Sequence, residues 1–374
     1  MKNQSSSSIS SIPQAFLAKR PKLASDKDEL RSFYTGLCAT VNYLNDAAVF
    51  LDKQERDLNS LSPFQKSLLK FEWAPKRKRY EECFAANFAF LLEIVKDELD
   101  IFAPKQLDGD YSFNVPSRDV SKIRSALRQF KREWSAEGAH EREASYAPLL
   151  EGLKKHFPQP QGVKVLVPGC GLGRLPFEIA SLGFACEGNE FSVQMQVCLK
   201  YIFSRFEPTR IFPSLNFTMN MVLAEDIFES CVVPDTKPDL SKLSLTFKQG
   251  NFLTEYSSSK GKWDCLVTCY FIDTGNNVLE YLQCIYSLLK PGGIWLNCGP
   301  LLYHKSGVKG EISIDLAMDE IFFAAEKLGF KILDKSTTQG LYCSQKNSMM
   351  EYLYKNQYFA CVKEPKFLDK VPFF

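Results

Sequence analysis

Three glycines, Gly169, Gly171 and Gly173, alternate in "VPGCGLGR" directly after the apolar run "VKVLV". Glycine lets a backbone approach a ligand closely and take conformations that a Cβ forbids. The residues from Arg174 onward have a helical pattern, so the first N–H groups of that helix point back at the same place. Glu190 closes a second short run, "FACEGN", 17 residues after Gly173. A carboxylate at the end of the second strand of such a unit can accept from ribose hydroxyls. The bland alternative is a corner that needs glycine only for its turn, followed by a surface Glu. Glycines and acid at this spacing together favour a strand–turn–helix–strand unit that holds an adenosine-containing ligand.

The spacing also separates ligand classes. A dinucleotide site reads G-x-G-x-x-G, whereas this loop reads G-x-G-x-G, the form found in S-adenosylmethionine (SAM) methyltransferases. Leu175, Pro176 and Phe177 follow, and only Arg174 is at hand to meet a pyrophosphate. The run "LLKPGGIWL" fits the same fold, in which a helix ends at a Pro-Gly-Gly turn and enters the fifth strand. One departure stands out. Val167-Pro168 occupy the place before the first glycine where many methyltransferases carry an acid.

Around the loop, the chain divides by texture. Residues 1–25 are Ser-rich and aperiodic, which predicts a disordered tail. Residues 26–120 read as a helical region. Phe84, Phe88, Leu91, Leu92 and Val95 fall on one helix face, and Ser62-Pro63 read as an N-cap followed by Pro at the first helical position. "FAPKQLDGDYSFNVPSRD" breaks the pattern. "SKIRSALRQFKREWSAEG" and "REASYAPLLEGLKKHF" are further helices. Residues 121–374 form the main domain, in which strands alternate with helices apart from a polar, Pro-containing insertion at 207–243. Expected strands are "VKVLV", "FACEGN", "LTFKQ", "DCLVTCYF", "GIWLNCG", "FKIL" and "QYFACVK". That alternation predicts a Rossmann-like α/β fold with a seven-stranded, mostly parallel sheet.

Bulk properties narrow the partners. The 374 residues are 45% hydrophobic and 24% charged, with a net charge of +2. No nucleic acid or membrane partner is expected from that balance, and no apolar run approaches a membrane span. The twelve cysteines lack paired or zinc-type spacing, so no metal is expected and a reducing, cytoplasmic setting is. "MKNQSSSSISSIPQ" has no hydrophobic run of a signal peptide. "PKRKRY" (75–80) can be read as a nuclear-targeting patch or, preferably, as a solvated helix start after Pro75. The N-terminal helical layer could carry a homodimer interface.

Five segments, "VLVPGCGLGRLPFEIA", "GNEFS", "CYFIDTGNNV", "LKPGGIWLNCGPLLYH" and "SMMEYLY", together resemble the carnosine N-methyltransferases. The resemblance runs from about residue 28 to residue 362. It implies methyl transfer from SAM to an imidazole nitrogen of the dipeptide carnosine, giving anserine. Laid onto this chain, it implies that Gln129, Arg132, Gly169, Glu190, Asn251, Phe252 and Cys269 contact the cofactor; the glycine spacing by itself adds Gly171 and Gly173 to that set. Arg132 would pair with the cofactor's carboxylate. The family has Asp where this chain has Asn251, so one charge facing the adenine amino group is missing. Asp273, His304 and Tyr354 match the substrate-contacting positions, with Tyr352 beside them. From the residues alone, Asp273 could equally cap the next helix, His304 could be a half-buried structural His, and the tyrosines could be core. Two other readings remain at this point: an NAD-linked oxidoreductase, and an inactive SAM-binding scaffold. A histidine in another peptide or protein is a further acceptor.

Overall fold

In the computed structural model, the described residues are 42–102 and 117–364, with Gly36, Ala39 and Thr40 before them. The expected tail and most of the break after Phe102 lie outside them. The helices and strands, in chain order, are α1 (Tyr43–Asn59), α2 (Pro63–Ser67), α3 (Trp73–Phe102), α4 (Ser117–Trp134), α5 (Ala139–His156), β1 (Lys164–Pro168), α6 (Arg174–Ser181), β2 (Ala185–Glu190) and α7 (Val193–Arg205). They continue with β3 (Thr209–Ile211), β4 (Cys231–Val233), β5 (Leu245–Gln249), α8 (Phe252–Glu255), β6 (Trp263–Cys269), α9 (Val278–Leu288), β7 (Leu289–Gly299), α10 (Met318–Leu328), β8 (Phe330–Leu341) and β9 (Leu353–Lys363).

Seven strands form one sheet in the order β5-β2-β1-β6-β7-β9-β8. Only β9 runs against its neighbours. This is the Rossmann-like α/β sheet, seven-stranded and mostly parallel, that the alternation of strands and helices predicts. Alternation along β1 shows how the two faces are filled. Val165 and Val167 join the core that also holds Tyr43, Phe84 and Phe130 from the N-terminal helices. Leu166 points the other way, into a second core with Leu282, Trp295 and Phe330. The helical region and the sheet therefore share one apolar interior.

Several local expectations are met. Ser62 caps α2 in a reciprocal box with Gln65, and Pro63 stands at the first helical position. "PKRKRY" lies inside α3, where Arg77 pairs with Asp52, Glu55 and Glu81, and Arg79 with Glu225. Others need correction. The buried face of α3 contains Phe84, Leu91 and Val95, but also Phe90, Ile94 and the polar Asn87. Asn87 bonds to Tyr43 Oη and to both the N–H and the C=O of Phe212, a role that hydrophobic periodicity cannot register. Strand β8 extends eight residues beyond "FKIL", because β9 pairs with it along its whole length despite its polar sequence. The insertion contains the antiparallel pair β3–β4. It is fastened to the main body by Lys131–Glu229, Arg142–Asp235 and Arg174–Asp235 ion pairs.

This topology brings one edge together. The C-terminal ends of β1, β2, β6 and β7 meet there, in register with one another. Because β9 is reversed, its start arrives at the same edge, with Tyr354 opposite Gly340 at the end of β8. Open α/β sheets place ligands at this edge.

Candidate active site

The glycine loop holds left-handed backbone at all three positions, with φ of 63° at Gly169, 56° at Gly171 and 78° at Gly173. The missing Cβ atoms serve different ends. At Gly169 a Cβ would run into the Phe271 ring, and at Gly173 it would stand 2.6 Å from Leu199. These two glycines let neighbouring elements pack down. Gly171 faces polar groups instead. Its N–H donates to Glu190 Oε2 at 2.9 Å, and a Cβ there would be 3.0 Å from Glu133 Oε1.

Glu190 Oε1 also accepts from Ser192 N–H at 2.7 Å. Burial pushes this carboxyl above the usual carboxylate range, while backbone N–H groups of Ser192, Gly171 and Phe191 pull it back. The next turn is tied to it. Gly250 N–H donates to the Glu190 carbonyl, and the Asn189 side chain donates to the Lys248 and Gly250 carbonyls. Asn251 follows and caps α8, its Oδ1 accepting from Leu253 N–H at 3.0 Å. Phe252 is buried, edge-on to Phe271 at 5.5 Å. Arg174, the one cation adjoining the loop in sequence, is committed to Glu178 and Asp235.

Helix α4 ends against this loop, with Trp134 Nε1 donating to the Leu172 carbonyl at 3.0 Å. Arg132 is only 6% exposed. Its guanidinium lies over Tyr342 (5.0 Å), Tyr270 (5.2 Å) and Tyr146 (5.8 Å). Its nearest carboxylate is Glu141, with Nε to Oε2 at 3.9 Å. Glu141 is already taken by the N–H groups of Cys343 and Ser344 and by the Ser344 hydroxyl. Arg132 Nε has no hydrogen-bond partner among the described residues. A buried guanidinium so poorly matched suits an anionic group from a ligand. With Glu190 at the end of β2, bonded to the loop, it makes the residues present fit SAM. Gln129 donates to Tyr342 Oη at 3.0 Å, so it reaches the site through that ring. Cys269, at the end of β6, is half-buried, and burial pushes its thiol up.

The neighbouring corner of the strand edge is aromatic. Tyr270, at φ 51°, has its ring 5.0 Å from Tyr342 and 6.0 Å from Tyr354, and Tyr342 and Tyr354 are also 6.0 Å apart. Asp273 follows at 3% exposure, its Oδ2 accepting from Leu302 N–H at 2.7 Å. It does not cap the next helix; Asn277 does, accepting from Leu279 N–H. Among the described residues nothing bonds to Oδ1. The Asp273 charge and burial both raise Tyr354, Tyr303 and Tyr281, burial being the larger cause. His304 is exposed, tethered by its N–H to the Asp273 carbonyl at 3.2 Å. Tyr352 does not share the position of Tyr354. It stands just before β9, 62% exposed, with its carbonyl accepting from Tyr342 N–H.

The structure thus gathers Arg132, Cys269, Asp273 and Tyr354 at one strand edge, with Gln129 joined through Tyr342. His304 and Tyr352 remain at its rim. Tyr270, Tyr342, Glu141 and Glu133 enter the site without having been assigned from the motifs. Glu133 left one signal in the sequence, being an acid in the last turn of a helix, where the helix dipole disfavours it. No group of three or more His, Cys, Asp or Glu among the described residues could hold a metal. No described helix is long and apolar enough to cross a membrane.

A family model described as carnosine N-methyltransferase matches residues 110–365. The chain belongs to that family. It is 36% identical over 331 residues to the carnosine N-methyltransferase of Rattus norvegicus, covering 84% of this chain and 82% of the relative. It is 30% identical over 361 residues to that of Schizosaccharomyces pombe, covering 90% and 96%. The protein is a SAM-dependent N-methyltransferase, and the oxidoreductase and scaffold readings fall away.

Proposed function

We propose that this enzyme transfers the methyl group of SAM to an imidazole nitrogen of carnosine, giving anserine. The observation that carries the reading is Asp273, a buried carboxylate with one oxygen held by Leu302 N–H, beside Tyr354 and at the same strand edge as the glycine loop. When bound, the cofactor supplies an electrophilic methyl group on a sulfonium centre. Arg132 would hold its carboxylate, Glu190 its ribose, and Asn251 and Phe252 the adenine.

The chain's own residues then have little proton chemistry to perform. An imidazole of pKa about 6.5 is mostly neutral at pH 7 and already carries the attacking lone pair. What the site must supply is orientation and an acceptor for the other ring N–H. Asp273 Oδ1 is suited to that task. Its attraction grows as the ring becomes cationic, so it favours the transition state over the bound substrate. Burial strengthens the effect by excluding water. Tyr354 would pack on the ring, while His304 and Tyr352 at the rim would meet the amine or carboxylate end of the dipeptide. The exposed apolar run Met349, Met350 and Tyr352, just ahead of Tyr354 in the chain, favours a second acceptor, a histidine within a longer peptide.

The test is methyl transfer from labelled SAM to carnosine, other histidine dipeptides and histidine-containing peptides, with the product located by NMR. Carnosine methylated on its ring supports the reading. Methylation elsewhere in the dipeptide, or of peptides alone, removes it.

A further inference from the structure

Glu133 is 5% exposed, and no basic group lies within ion-pair distance of it among the described residues. Its neighbour Arg132 is directed at tyrosine faces, and Arg174 is paired with Glu178 and Asp235. What Glu133 does receive is the charge of the neighbouring Arg132, a long contact from Arg174 N–H at 3.5 Å and the Leu172 N–H, all of which pull its carboxyl back down. Burial still outweighs these and pushes its carboxyl up to about 7. A buried carboxylate with no cation in direct contact suits a cation brought by a ligand.

Its position says which cation. Oε1 faces Gly171, whose N–H is held by Glu190. Strand β1 offers no acid of its own, since Val167-Pro168 precede the first glycine. Arg132 and Glu133 are consecutive on α4, one of each charge, both buried. The methionyl end of SAM carries one carboxylate and one ammonium on a single carbon. The geometry points to Glu133 as the group that receives the α-ammonium of the cofactor, beside Arg132 at the carboxylate. This assignment concerns the donor alone and stands whatever the acceptor proves to be.

Isothermal titration with a ligand series tests it. The ligands are SAM, decarboxylated SAM, the deaminated 2-oxo analogue, and 5′-methylthioadenosine, which lacks the whole amino-acid end. Glu133→Gln should weaken SAM and decarboxylated SAM by about ten- to a hundredfold, as expected for a lost charge-assisted bond. It should leave the 2-oxo analogue and 5′-methylthioadenosine within about threefold. A loss spread evenly over all four ligands overturns the proposal, because Glu133 would then only support the loop. Unchanged SAM affinity overturns it too. The wild-type protein gives a variant-free arm: decarboxylated SAM must bind more tightly than 5′-methylthioadenosine, and equal affinity refutes the assignment.

Discussion

At the glycine corner, where β1, α6 and β2 meet, main-chain groups set the shape, and Glu190 is held by N–H groups of Gly171 and Ser192. At the tyrosine corner, where β6 and β7 end and β9 begins, side chains from three separate stretches set it: Tyr270 with Asp273, Tyr342, and Tyr354. A shape made by backbone is specified within a few consecutive residues and fails when a Cβ is added. A shape made by side chains is assembled over long sequence distances and fails when a functional group is removed. The donor is common to many reactions and the acceptor is particular, so variable side chains belong on the acceptor side.

The sharpest break of that contrast is Asp273→Asn. Turnover on carnosine should fall by about two to four orders of magnitude, while calorimetric SAM affinity stays as it was. Equal turnover in the two proteins would sink the role given to Asp273. Next is Gly169→Ala, which adds a methyl against the Phe271 ring at a positive φ. A loss of about 2–4 kcal/mol in denaturant unfolding is expected, with weaker SAM binding by the folded protein.

A smaller effect comes from pH. In the ligand-free fold Glu133 titrates near 7, against roughly 4.3 in an unfolded chain. Between those values the folded state binds the extra proton, so stability falls as pH rises through the window and the cost is complete above 7. Glu190 is shifted in the same direction. Arg132 and Arg174 stay charged, and the nearby Tyr146, Cys170 and Cys269 are pushed further up by burial, so they stay neutral. Melting curves from pH 5 to 8 should show wild type losing on the order of a few degrees more than Glu133→Gln. Identical slopes would mean that Glu133 is already satisfied. The smallest change is Asn251→Asp. Both residues cap α8, so stability should hold, while restoring the charge should tighten SAM binding by about three- to tenfold.

The same contrast explains what was legible in the sequence. The glycine loop and Glu190 are close along the chain, and their spacing alone suggested the ligand. The strand count and the mostly parallel character followed from the alternation of strands and helices; the strand order came from the structure. Arg132 was reachable only through family resemblance, because a charged residue on a helix as charged as "RQFKREW" reads as solvated. Its burial comes from tyrosines 138 and 210 positions further on, at Tyr270 and Tyr342. Asn87 and Glu133 were missed for a related reason: each is a polar residue whose partners belong to another element. The length of β8 was hidden because an edge strand with solvent on one side keeps polar residues that still complete the backbone ladder.

One feature bears on the timing of turnover. Helix α4 touches both corners, with Trp134 bonded to the glycine loop and Gln129 and Lys131 bonded to Tyr342 and Ser344 in the loop between β8 and β9. A ligand that orders the end of α4 also steadies Tyr342, and by reciprocity an ordered acceptor loop raises the affinity for the donor. Such a coupling makes donor and acceptor each tighten the other: SAM titrated in the presence of saturating dipeptide should bind more tightly than SAM alone, by the same factor as the dipeptide gains from SAM.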